Sequence, residues 1–145
     1  MKKKLFLLGL VLLVTMFLVG CSGGIITSSN LTGNWTMTNS SGSSVTTSKC
    51  YMNDSSGNLT ISNFYVVNQS YINWNTGYGT HSGSSITATV NGSYTNIYYQ
   101  TVSIVVYFEG TINSSGIYGT GTWVETDTVS GNIYTSSGST VFVKG

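Results

Sequence analysis

Few residues of this 145-residue chain are of a type and spacing that could do chemistry. Glu125 and Asp127 stand two apart in Trp123-Val124-Glu125-Thr126-Asp127, so on a β-strand both carboxylates point to one face. Such a pair suits acid and base roles in glycoside hydrolysis, or a shallow site for a hard cation that takes oxygen ligands. The plainer reading is a solvated outer face near a strand end. Glu109 is the other acid to weigh. His81 is the one histidine; it sits in the Gly- and Ser-rich stretch from Asn75 to Ser85 and reads as an exposed loop residue. No Gly-x-Ser-x-Gly elbow frames a nucleophilic serine. One histidine and one thiol far apart lack the spacing of a transition-metal site, and no helix follows the glycine-rich stretches to cradle a phosphate. The expectation is a protein that is not an enzyme and uses no metal or cofactor.

The aromatic residues carry more. Ten tyrosines and three tryptophans are many for this length, and each offers an apolar face with a polar tip. Most belong to strands, where tyrosine is favoured. Tyr71, Trp74 and Tyr78, with Tyr94, Tyr98 and Tyr99, lie in or beside loop-like segments rich in Asn, Gln and Thr. These six are the candidate ligand-binding residues. Tyr, Ser, Gly and Asn together make adaptable contact surfaces, suited to stacking a glycan or meeting an envelope or protein partner.

The elements that must position them are strands. Proline is absent, so turns rest on Gly, Asn, Asp and Ser. Turn clusters recur at 39–44, 53–58, 75–85, 91–92, 113–116, 130–132 and 136–139, with strand-length segments between. Asn91-Gly92 is the sharpest of them, because Asn-Gly supplies the positive φ angles of a type I′ hairpin. Trp35 and Met37, Leu59 and Ile61, and Ile86, Ala88 and Val90 each alternate with polar residues, as half-buried strands do. Val102, Ile104, Val106 and Phe108 form the most apolar face. The stretch from Ser93 to Asn113 is either one bent strand or a loop through Tyr94-Thr95-Asn96 leading into a strand. The fold class is all-β: an antiparallel meander of about eight strands, expected to close into a small barrel and so remove its edges, with a β-sandwich as the alternative.

The N-terminus has a different character. Lys2, Lys3 and Lys4 precede an apolar run from Leu5 to Val19, then Gly20 and Cys21. The run of about 15 residues falls short of the roughly 20 that span a bilayer, and the pattern is that of a secretory signal peptide with a small-residue cleavage site. Leu18-Val19-Gly20-Cys21 resembles the lipobox of bacterial lipoproteins. The resemblance implies that Cys21 is lipidated, with diacylglycerol on sulfur and a further acyl chain such as palmitate, and becomes the first mature residue. Two or more chains anchor stably. Residues 1–20 are then a signal peptide, 21–30 a lipidated flexible tether and 31–145 a single all-β domain. The partner through Cys21 is a membrane; the location is the cell envelope, facing outside the cytoplasm, and by resemblance Ser22 favours the outer membrane in a Gram-negative host. Beyond residue 20, two lysines face four acids, a net charge of −2 with His81 neutral, and arginine is absent. Nucleic acid is therefore excluded as a partner. Cys50 is left alone and reads as a small buried side chain.

Leu31-Thr32-Gly33-Asn34-Trp35 resembles the Gly-x-Trp opening of the calycin barrels, the lipocalins and avidins, in which the tryptophan packs at one end of an up-and-down barrel. The avidin biotin-binding Asn two positions after the Trp is Met37 here, so biotin binding is not carried over. The functional expectation is a non-catalytic binding or surface-structural lipoprotein that uses aromatic, Asn-rich loops. The alternatives are a calycin-like carrier of a small ligand in a barrel cavity, and a hydrolase using Glu109 or Glu125/Asp127.

Overall fold

The computed structural model describes residues 30–145. The signal peptide, Cys21 and all of the tether except Asn30 lie outside the described residues. Every element among the described residues is a strand: β1 (Gly33–Ser41), β2 (Ser44–Ser55), β3 (Asn58–Val66), β4 (Asn73–Trp74), β5 (Gly77–Ser82), β6 (Ser85–Thr95), β7 (Thr101–Ile112), β8 (Tyr118–Val129) and β9 (Asn132–Lys144). Each long strand pairs antiparallel with the next, and β9 returns to pair with β1 through Trp35↔Lys144 to Ser40↔Ser139. The result is a closed eight-stranded meander barrel. The short β4 pairs with β6 beyond the end of β5 and extends the same position in the wall.

The expected alternation holds. Trp35, Met37, Leu59, Ile61, Ile86, Ala88, Val90, Val102, Ile104, Val106 and Phe108 all turn inward and are buried. Cys50 joins them, and burial pushes its thiol up to about 12. The type I′ turns are Ser56-Gly57 and Ser130-Gly131, where both central residues have positive φ. Gly42 and Gly83 open two further tight hairpins.

Three expected turns are strand instead. Asn91-Gly92 runs through the middle of β6, with Asn91↔Val105 and Gly92↔Ile104. The glycine serves packing rather than a turn: a Cβ there would lie 2.6 Å from the Trp74 ring. Residues 136–139 continue β9, and most of Asn75–Ser85 is β5. The Ser93–Asn113 stretch is a hairpin, turning at 96–100 between β6 and β7; the Asn96 side-chain oxygen accepts from the Tyr98 and Gln100 amides.

The barrel has two unlike poles. At the first lie Asn30, where the described residues begin, and Gly145. Fully buried Leu31 plugs this pole, and its carbonyl accepts a 2.7 Å bond from the Trp35 indole. His81 is buried here, not exposed in a loop: its Nδ1 lies 2.9 Å from Asp54 Oδ2 and its Nε2 2.9 Å from the Gly83 carbonyl. The hairpin register carries it inward opposite buried Ile86. Asp54 also accepts from the Leu31 and Gly57 amides. Lys144 Nζ donates to the Asn30 carbonyl. The turns at 42–43, 96–100 and 130–131 and the 67–72 connection lie at the opposite pole, called the mouth below.

Candidate binding site at the barrel mouth

The lower interior is filled. Met37, Cys50, Met52, Ile61, Ala88 and Phe142 meet with no water-sized void between them. Phe64 and Phe108, with ring centroids 6.1 Å apart, form the top of this layer. Directly above them is a cavity of about 90 Å³, walled by polar groups including Asn39, Ser48, Gln69, Trp123 and Glu125. That is room for several waters or a small ligand group. An open groove along residues 64–74 shares Phe64, Val66 and Gln69 with it and leads outward past Trp74.

β8 decides what lines the mouth. In its register with β7, Trp123 stands opposite Phe108, Glu125 opposite Val106, Asp127 opposite Ile104 and Val129 opposite Val102. Directly paired residues share a face, and all four β7 partners are buried inward. Glu125 and Asp127 therefore line the interior at the mouth, not the solvated outer face the sequence suggested. Burial raises both carboxyls, and the Asp127 charge raises Glu125 further. Glu109 is out of phase with them: it lies on the outer wall, where it accepts a 3.2 Å bond from the Tyr107 hydroxyl.

Three of the six candidate aromatics converge here. Trp74 packs edge-on against Phe64 at 4.7 Å, and Tyr71 edge-on against Tyr94 at 5.3 Å. Trp74 and Tyr94 rest on the core cluster. Burial raises the Tyr94 hydroxyl, and the Asp127, Tyr71 and Glu125 charges add to it, so these four groups share one electrostatic environment. The other three stand apart. Tyr78 lies on the outer wall of β5, 66% exposed, between Thr60 and Thr89. Tyr98 and Tyr99 occupy the 96–100 turn at the same pole, 75% and 93% exposed, with no ring contact to the cluster.

The site also holds unmet hydrogen-bonding capacity. The Trp74 and Trp123 indole N–H groups and Asp127 Oδ1 are buried without a protein partner. By contrast, buried Asn39 is fully engaged: its Nδ2 donates to Ser48 Oγ (2.9 Å) and its Oδ1 accepts from Thr140 Oγ1 (2.8 Å). Two donors, an acceptor and stackable rings at the mouth suit a polar organic ligand. Among the described residues no three His, Cys, Asp or Glu side chains come together as a metal centre. The sequence missed Trp123, Glu125 and Asp127 as mouth residues. The signal was the phase of β8, in which both acids fall on the face of Trp123 and Val129.

Compared with known proteins, the chain matches no family model, no curated protein and no solved structure.

Proposed function

We propose that the protein is a non-catalytic binding module of the cell envelope, lipid-anchored through Cys21, that takes a small polar ligand with a stackable face at the barrel mouth. The observation that carries this reading is the gathering at one pole of Tyr71, Trp74 and Tyr94 with Trp123, Glu125 and Asp127, beside a cavity lined by Trp123 and Glu125, with the Trp74 and Trp123 indole N–H groups and Asp127 Oδ1 left without partners. A buried polar group without a partner costs about 1–3 kcal/mol, a cost that a ligand supplying the missing bonds removes. Sugars supply hydroxyl donors and acceptors together with an apolar C–H face, so glycans and envelope fragments are the class to screen. The carrier reading narrows to this same cavity, because the interior beneath Phe64 and Phe108 is filled.

Titration of the full chain with such fragments, followed by tryptophan fluorescence, tests it. Tyr94→Ala and Tyr71→Ala weaken binding about tenfold, the scale of losing one stacking contact, while Tyr78→Ala on the outer wall leaves it unchanged. Binding that depends on Tyr78 and ignores Tyr94 would refute the site. The anchor is tested separately with a clickable fatty acid: labelling is lost in Cys21→Ser, and equal labelling of that variant overturns lipidation there.

One observation favours a second reading. A carboxyl raised by burial beside another carboxylate is the arrangement used by general acids in glycoside hydrolysis, and Glu125 has it. Turnover of a bound oligosaccharide that disappears in Glu125→Gln would establish the hydrolase in place of the binding module.

A further inference from the structure

Among the described residues the acids at the mouth have no counter-charge. The cationic side chains among the described residues are Lys49, Lys144 and, when protonated, His81. Lys49 sits on the outer face of β2, between inward Ser48 and Cys50. Lys144 and His81 are held at the opposite pole by Asn30 and Asp54. The one ion pair among the described residues is that of His81 and Asp54. Glu125 and Asp127 therefore repel each other in a partly dry mouth, and among the described residues no group of opposite sign relieves them.

The rest of the wall is selective about what can relieve them. A calcium-like ion wants six to eight oxygen ligands, whereas Asn39 and Ser48 in the Glu125 cavity are already bonded to each other and to Thr140, Trp123 lines the same cavity with an unpartnered indole N–H, and Tyr94 feels the charge of both acids. An organic ammonium fits better. It offers N–H donors to two carboxylates, and its charge is favoured beside the electron-rich faces of Tyr and Trp. The indole N–H groups need the reverse, an oxygen acceptor on the same molecule. Successive inward residues of one strand are about 7 Å apart, so an ammonium between Glu125 and Asp127 can meet both while the remainder of the ligand reaches Trp74 and Tyr94.

We propose that the mouth selects a sugar carrying a free amine: an amino sugar whose ammonium sits between Glu125 and Asp127, whose ring stacks on Tyr94 or Trp74, and whose hydroxyl oxygens accept from the indoles. The inference rests on the reading of the mouth as the binding site and adds the charge of the ligand to it.

Isothermal titration of the full chain with three matched tetramers tests it: a glucosamine tetramer with free amines, its fully N-acetylated form, and a glucose tetramer with hydroxyls in those positions. The expected result is that the free-amine tetramer binds about tenfold or more tightly than either of the others near neutral pH, that the gap shrinks as salt rises, and that Glu125→Gln with Asp127→Asn abolishes it. These replacements keep side-chain shape, and Glu109→Gln on the outer wall preserves the preference. Equal affinity for all three tetramers, lowered alike by Tyr94→Ala, overturns the amine inference while leaving the binding site standing. An amine preference that survives in the Gln/Asn double variant also overturns it. Failure of all three to bind overturns this inference and counts against the site itself.

Discussion

His81 Nδ1 and Asp54 Oδ2 meet at 2.9 Å across 27 residues of chain, and the same carboxylate oxygen accepts the Leu31 amide. One side chain thus joins the β2 end, the β5 end and the plug that seals the first pole. The Asp54 carboxylate makes its contact with His81 a charge-assisted bond of the stronger kind. Asp54→Ala removes the acceptor for His81, Leu31 and Gly57 together, and should cost about 2–4 kcal/mol in urea unfolding. His81→Ala leaves the two amide bonds and should cost less. The comparison of the two midpoints checks the division of labour.

The acids of the two poles give opposite pH dependences. Burial alone would raise Asp54, but the Leu31 and Gly57 amides and His81 hold it below its usual value. Its contribution is present above the unfolded carboxyl pKa and is lost as pH falls through the lower folded one. Glu125 and Asp127 are raised, so the folded state binds their protons more tightly and gains stability as pH falls toward their values. Stability should peak on the acid side of neutrality. In thermal melts from pH 3 to 8, Glu125→Gln with Asp127→Asn should flatten the neutral limb, and Asp54→Asn the acid limb.

The seam that closes the barrel can be tested at Thr140 and Asn39, which lie 101 residues apart in the chain and 2.8 Å apart in the fold. Thr140→Val preserves shape and leaves Asn39 Oδ1 without its donor. The expected loss is about 1–3 kcal/mol. In a double-mutant cycle with Ser48→Ala, the two changes should couple, because both partners act on the same amide.

Gly92 and Trp74 form the last pair. Gly92→Ala drives a Cβ into the indole and should cost about 1–3 kcal/mol as an overpacked contact. It should also shift the tryptophan emission and weaken ligand binding about as much as loss of Trp74 itself. An unchanged emission spectrum would show that the ring does not rest on Gly92.

Much of the fold was legible because alternation reports which face is buried. Trp35 and Met37, or Val102 to Phe108, could face only inward. The turns were less legible, since Gly in a barrel strand and Gly in a turn look alike along the chain. Asn91-Gly92 has hairpin chemistry, yet its glycine exists to admit Trp74, a contact no local pattern reveals. At the mouth, Tyr71, Trp74 and Tyr94 were found from their loop-like surroundings, which is a weak filter and admitted Tyr78 as well. Glu125 and Asp127 were assigned to solvent because charge usually sits there. The phase of β8 against β7 outweighed polarity, and its one trace along the chain was that Trp123 and Val129 share a face with the acids.

Asn30 and the mouth lie at opposite poles of the barrel. A wall strand of twelve residues such as Thr101–Ile112 at about 3.3 Å per residue, tilted by roughly 40°, stands about 30 Å tall. Whatever holds the chain from its N-terminal side, natural or the gold of a biosensor chip, grips the pole that lies about that height from the aromatic mouth. A ligand then approaches from open solution with no support in its path. A chain immobilised behind residue 30 should bind as it does free, whereas one held through the 96–100 turn should not.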